Sequence, residues 1–206
     1  MRLPATFIPP CRARPDRSFL CLALLSGPAW SATLSVAVSD AAGKPLEGAV
    51  VTVSVTGAAK VAPAGTTAEM TQQNRQFAPR TLVVQAGTSV HFPNLDKVRH
   101  HVYSFSPVKP FELKLYAGTP AAPVLFDKPG IAVLGCNIHD RMTGWIAVVE
   151  TPYFAKSDAA GQARIEVPDG EHLVRVSHPQ QADGAVFERR MRAAPLAVRL
   201  AFTPDP

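Results

Sequence analysis

Apolar and polar residues alternate along much of this chain with a period of two, the repeat of a strand that buries one face. The segment "TLSVAVS" from Thr33 alternates cleanly, and "DAAGKP" turns the chain after it. "GAVVTVSV" from Gly48 predicts a second strand. Residues 57–70, rich in Gly, Ala, Thr and Pro, predict a loop. "TLVVQAGTSVHF" holds two strands about Ala86-Gly87, and "HVYSFS" from His101 holds another. Residues 106–123 carry four prolines and predict a long excursion, in which "FELKLY" has room for a short strand or helix. "GIAVL" leads into residues 135–143 and "GWIAVVE" leads away from them. Further on, "ARIEVPDGEHLVRVSH" gives two strands about Pro168-Asp169-Gly170, and "APLAVRLAF" gives a last one. The pattern predicts an all-β chain.

One short echo runs through it. "SDAAG" occurs at Ser39–Gly43 and again at Ser157–Gly161, each time beside alternating strands. Each copy offers an Asp to accept local backbone hydrogen bonds and a Gly that tolerates positive φ. Both ends of the chain are therefore expected to be built alike, with something different between them.

Composition adds a leader and removes most other readings. At 206 residues and 47% hydrophobic content the chain can bury a core in one domain or two modest ones. Residues 1–32 read as a secretory signal: a basic stretch to Arg17, the apolar run "SFLCLALLSGPAW", then small residues at Ala29, Ser31 and Ala32. That run is shorter than the roughly 20 residues a bilayer requires, so no membrane span is expected and the exported protein is expected in the periplasm. Arg2, Arg12, Arg14 and Arg17 against Asp16 account for +3 of the formal charge of +5, and the remainder carries +2. Nothing in that balance calls for nucleic acid. Arg189, Arg190 and Arg192 read as a solvated edge. Cys11 and Cys21 fall in the leader, so the exported chain keeps Cys136 alone. A lone thiol cannot close an internal disulfide, and metal ligation would protect it.

The candidate chemistry lies in "CNIHDRMTGW", which places Cys136, His139 and Met142 within seven residues. A trigonal copper site takes two His nitrogens, one Cys sulfur and a weak axial Met sulfur. The second imidazole has candidates upstream in "NLDKVRHHVYSF", at His100 or His101; neighbours on a strand face opposite sides, so one of the two should ligate. A single Cys disfavours a structural zinc site and an iron–sulfur cluster, and the c-type haem motif C-x-x-C-H is absent. His91, His172 and His178 have no such companions and read as non-ligands, and Trp145 reads as core. No Ser-His-Asp or paired-carboxylate arrangement suggests an enzyme.

Residues 77–149 resemble the cupredoxin family, with the loop length of amicyanin. The resemblance is carried by "FAPRTLVVQAGTSVHFPNLD", "HHVYSF" and "PGIAVLGCNIHDRMTGWIAV", in which Phe77, Pro79, Gly87, Val90, Asn94, His100, Gly130, Cys136, His139 and Met142 take the family's motif positions. It implies a Greek-key β-sandwich and one type 1 copper ion held by His100, Cys136, His139 and Met142. His101 then takes the place of a common Asn, and Asp140 that of a frequent Pro. It implies His139 as the electron port in an apolar patch to which Pro107, Ile138 and Met142 contribute. "HHVYSFSPVKPFELKLY" with "SDAAGQARIEVPDGEH" is similar to cupredoxin-type methylamine utilisation proteins, which implies redox partners such as an amine dehydrogenase and a cytochrome c. The flanks "VSDAAGKPLEGAVVTV" and "SDAAGQARIEVPDGEHLVRVSHP" resemble carboxypeptidase regulatory-like, transthyretin-like sandwiches. The expected division is a leader (1–32), a first accessory part (33–69), a cupredoxin domain (70–150) and a second accessory part (151–206). The expected function is single-electron transfer, with copper trafficking or a structural interaction module as alternatives.

Overall fold

The computed structural model of the chain describes residues 31–120, 122–181 and 186–202. The expected leader lies outside them except for Ser31 and Ala32, and so do Cys11 and Cys21. Among the described residues every regular element is a strand. In order they are β1 (Ser31–Ser39), β2 (Val50–Ser54), β3 (Thr67–Glu69), β4 (Thr71–Gln73), β5 (Gln76–Ala78), β6 (Thr81–Gln85), β7 (Thr88–His91), β8 (His100–Ser104) and β9 (Phe111–Tyr116). They continue with β10 (Val124–Phe126), β11 (Gly130–Leu134), β12 (Gly144–Val149), β13 (Phe154–Lys156), β14 (Gln162–Pro168), β15 (Glu171–Ser177), β16 (Val186–Arg192) and β17 (Leu196–Arg199). No described helix is long and apolar enough to cross a membrane.

The strands collect around two apolar clusters. One draws on both ends of the chain: Leu34, Val36 and Val38 of β1, Val51 and Val53 of β2, then Ile165, Val176 and Val198 from the far end. Its sheets run β14-β1-β17 and β13-β2-β15-β16. β1 pairs antiparallel with β14 (Leu34↔Ile165) and parallel with β17 (Val38↔Val198), so the first described strand is clamped between two of the last. The other cluster is local to the middle, from Met70 to Val148, and contains Phe92, Phe126, Leu134, Cys136, Met142 and Ile146. Fully burying one such side chain is worth about 1.5–3 kcal/mol, which is why the alternating segments settle with their apolar faces inward.

The two "SDAAG" copies fold alike. Asp40 Oδ1 accepts from the N–H groups of Ala42 and Lys44, and Asp158 Oδ1 accepts from those of Ala160 and Gln162, all at 2.9 Å. The turns also touch: Val38 N–H donates to Gly161 O at 2.8 Å, and a Cβ on Gly161 would collide with Val38 O. Ser157, fully buried, donates to Leu46 O at 2.7 Å and accepts from Ala49 N–H at 2.9 Å.

One expectation needs correction, and the strand pairings add to the others. The loop over 57–70 ends in β3, which pairs parallel with β7 (Ala68↔Val90) and so satisfies its own backbone groups. "FELKLY" is strand β9, antiparallel to β8. The two strands about Ala86-Gly87 do not pair with each other: β6 lies parallel to β12, while β7 joins β10 and β3. The strands about Pro168-Asp169-Gly170 likewise go to different sheets. Each of these turns carries the chain across a core, because both flanking strands must bury apolar faces from opposite sides. The Arg cluster sits on β16, an edge strand whose Arg189, Arg190 and Arg192 are exposed.

His178 ties the end of β15 to the first core. Its Nε2–H donates to Glu47 O at 2.9 Å, its Nδ1 accepts from Gln180 N–H at 3.2 Å, and its ring meets Phe202 edge-on at 4.3 Å. Burial lowers its pKa, the bond to Glu47 opposes that, and the Arg80 charge adds to it. The neutral ring is the form that fits. The unfolded chain therefore binds this proton more readily, and the stability it confers is present above about pH 6.5 and lost as pH falls through the folded value. Chemical denaturation between pH 7.5 and pH 5 should show a midpoint that falls more steeply for the native chain than for His178→Gln.

Candidate metal centre

β11 runs into the loop that carries Cys136. Its inward positions follow the strand period: Ala132, Leu134 and Cys136 are all buried. β11 and β12 pair antiparallel from Gly130↔Val148 to Leu134↔Gly144, so residues 135–143 form a closed loop between them. Gly135 exchanges two backbone hydrogen bonds with Tyr103 of β8, at 3.0 and 3.1 Å. A Cβ there would stand 2.6 Å from the Tyr103 ring, so any larger residue before the thiol would have to displace that ring. At the other end Met142 N–H donates to His139 O at 2.9 Å.

The loop and β8 bring two imidazoles to one thiol. Cys136 Sγ lies 4.0 Å from His100 Nδ1 and 3.7 Å from His139 Nδ1. The three candidate ligand atoms all fall within 4.8 Å of one another, and the two rings stand 4.9 Å apart. Cys136 is a free, buried cysteine. His100 is fully buried, whereas His139 is partly open to solvent.

Asp96 settles the orientation of His100. Its carboxylate accepts from His100 Nε2–H at 2.8 Å, which leaves the Nδ1 lone pair facing the thiol. The same carboxylate accepts from Asn74 N–H at 2.8 Å and Arg75 N–H at 2.9 Å. Burial alone would raise the Asp96 pKa, but Arg75 N–H, the His100 ring and Asn74 N–H outweigh it and hold the carboxyl below its usual range. Asn74 and Arg75 sit at φ 55° and 57°, the left-handed turn that joins β4 to β5. Arginine is disfavoured there by roughly 1 kcal/mol or more. Asn94 steadies the same loop: Oδ1 accepts from Asp96 N–H, and Nδ2 donates to Val98 O and Tyr116 O, at 2.9 to 3.0 Å. Tyr116, opposite His100 on β9, has its pKa pushed up to about 12 by burial, against the bond from Gln72 and with the Cys136 charge adding to it. It stays a neutral donor, to Phe92 O at 2.7 Å.

The structure thus places His100, Cys136 and His139 together. Met142 is buried in the same cluster as Cys136 and adjoins His139 through its backbone bond. At 1% exposure it contributes nothing to a surface patch, which corrects the expectation that it does; Ile138 and Pro107 are exposed. His101 points to the other side of β8, where its Nε2 lies 3.0 Å from Glu112 Oε1, close in distance but poorly aligned for a hydrogen bond. His172 is held by Pro168 O at 2.8 Å and His178 by Glu47 O, so both have structural partners. Trp145 is buried, with the Arg80 guanidinium 5.1 Å from its ring centre. Sequence reasoning missed Asp96; its spacing of four residues before His100 was the available signal. A cleft of about 560 Å³ lined by Thr52, Arg175, Ile131 and Val149 lies between β2–β15 and β11–β12, apart from these groups.

The donor set fits a soft or borderline metal ion. A buried thiol with two imidazole Nδ1 atoms turned toward it, one of them fixed from behind by a carboxylate, matches the thiolate and imidazole preference of copper.

No protein-family model matches this chain, and no curated protein matches it. Among solved structures it is similar to a purple cupredoxin from Nitrosopumilus maritimus, at 19% identity over 40% of this chain and 98% of that one, with a TM-score of 0.35. It is similar to a reduced mutant of amicyanin, at 17% identity over 48% of this chain and 97% of that one, with a TM-score of 0.37. A mutant fern plastocyanin matches at 19% identity over 39% of this chain and 99% of its own, with a TM-score of 0.35.

Removing the Asp96 carboxylate strands a buried His100 N–H and frees a strained turn. Asp96→Ala should cost about 2–3 kcal/mol of unfolding free energy. Arg75→Gly should gain about 0.5–1 kcal/mol, since glycine tolerates that φ. Denaturant unfolding of the metal-free protein measures both.

Proposed function

We propose that the chain is a copper protein that carries single electrons between redox partners. The observation that carries this reading is the pair of Nδ1 atoms at 4.0 and 3.7 Å from the Cys136 thiol, with His100 held from behind by Asp96. His100, Cys136 and His139 would hold the ion, and Met142 would supply a further thioether donor. Copper so bound supplies a one-electron couple between Cu(II) and Cu(I). The residues do the rest. Asp96 keeps His100 in one tautomer and orientation. The Gly135–Tyr103 bonds and the His139–Met142 turn hold the loop, so little has to move when charge changes. The buried cluster around Cys136 keeps water from the thiol. His139, partly exposed, is the route to a partner. Four donors from this chain around one ion would support a carrier over a catalyst.

In the same reading, residues 70–150 form the cupredoxin-like unit, and 33–69 with 151–206 form an accessory sandwich around it. Two apolar clusters, one drawn from both chain ends and one from the middle, support that division, except that β3 pairs with β7 and Ala68 packs on the middle cluster, so the end of the first accessory part belongs with the middle. Residues 1–32 would export the protein to the periplasm. An amine dehydrogenase as donor and a cytochrome c as acceptor are the partners the methylamine-utilisation resemblance suggests.

Copper loading of residues 33–206 tests the proposal. One equivalent of Cu(II) should produce an intense band at roughly 600 nm that is reversibly bleached by ascorbate and absent in Cys136→Ala. A colourless protein that binds Cu(I) alone would reassign the site to copper trafficking. Failure to bind either form would leave a structural module.

A further inference from the structure

The end of the protein that carries His100 and His139 has a charge pattern of its own. Three segments meet there: the turn Asn74-Arg75, the loop 95–99 and the loop 137–141. Asp96 bonds to the N–H groups of Asn74 and Arg75 and to His100, and the His100 ring stands 4.9 Å from that of His139. These segments expose Leu95, Val98 and Ile138, at 59%, 42% and 47%. Around them Arg75, Lys97, Arg99 and Arg141 are all exposed.

The acids on the same segments are Asp96 and Asp140. Asp96 is directed inward, with a side chain 15% exposed and three donors on its oxygens. Residues 117–119, which follow Tyr116 and bond Asn94 through Gly118, carry no charge. Asp140 is exposed, so four exposed cations on these segments stand against one exposed carboxylate, and the segments are apolar and net basic although the chain beyond its first 32 residues carries only +2. Arg75, Lys97 and Val98 also line a concavity of about 400 Å³ beside Asp96. Arg75 stands in a backbone conformation that glycine would occupy more readily, so its side chain is kept at a conformational cost. The other cluster of arginines, on β16, is partly neutralised: Arg192 pairs with Asp169, and Arg175 of β15 with Glu188.

We propose that this face docks the acidic surface of a redox protein. Leu95, Val98 and Ile138 form the close contact beside His139, and Arg75, Lys97, Arg99 and Arg141 steer and orient the approach. Complementary charge raises the encounter rate and selects the partner, while a small apolar centre permits fast release. The assignment rests on the electron-carrier reading and adds the chemistry of the partner to it.

Chemical-shift mapping on isotope-labelled protein tests it, with an acidic and a basic c-type cytochrome as probes. The measurement is made on metal-free and on copper-loaded protein. A missing copper band would sink the carrier reading, while the map decides the docking face by itself. The acidic cytochrome should shift the amides of residues 95–99, 138 and 141. Its binding should weaken about tenfold in Arg75→Glu/Lys97→Glu and in Arg141→Glu, and fade at high salt. Those variants touch no candidate ligand, and unchanged shifts in β1 and β15 would verify their folding. Equal binding of the basic cytochrome, or shifts centred on β16, would overturn the proposal. So would co-sedimentation with phosphatidylglycerol vesicles that the same substitutions abolish, which would make the face a lipid-binding one.

Discussion

One carboxylate joins the parts on which the site depends. Asp96 receives the His100 ring on one side and the two N–H groups of a left-handed turn on the other. Its charge compensates for three donors that would otherwise be desolvated with poor partners, and an unmade bond to a fully buried imidazole is costly. In return His100 has a single tautomer, with its free nitrogen on the thiol side. The hairpin β4–β5, the loop 94–99 and β8 are thereby held in one arrangement. Asn94 repeats the device one step away by bonding the backbone at Asp96, Val98 and Tyr116.

Against that fixed imidazole, the other two groups arrive on a loop whose ends are both restrained. Gly135 admits the Tyr103 ring where any side chain would collide, and Gly144 does the same for Phe77. The strand period then turns Cys136 inward with Ala132 and Leu134. A donor set placed this way needs little rearrangement to accept an ion. Its burial is also asymmetric, with His100 enclosed and His139 partly open to solvent next to exposed Ile138. Enclosure on one side and exposure on the other give the site one direction of approach.

Much of this was legible along the chain. The apolar pattern marked β1, β2, β6, β7, β8, β11, β12, β14 and β15: strands such as β1, β14 and β15 alternate because they bury one face, while β8 and β12 do not alternate because both their faces are buried. The spacing of Cys136, His139 and Met142 marked the loop, and the two "SDAAG" turns marked chain ends with the same local hydrogen bonds. Short strands such as β4, β5, β10 and β13, at three residues each, are too brief to show a period. β16 escaped because its apolar Phe187 and Met191 are separated by arginines on an edge strand that packs on one side.

What the amino-acid order determined by itself was local: which residues form strands, where glycine and aspartate turn the chain, and that one thiol has an imidazole and a thioether within a single loop. Only the tertiary structure decided between His100 and His101 as the ring that meets that thiol, because strand register and the bulge between His100 and Val102 set which face each ring takes. It likewise decided that Asp96 stands behind the chosen imidazole. It also sent the strands on either side of Ala86-Gly87 to different sheets. Those outcomes depend on which distant strand lies alongside, and pairing over long separations is chosen by the burial of whole faces, which no short stretch of residues encodes.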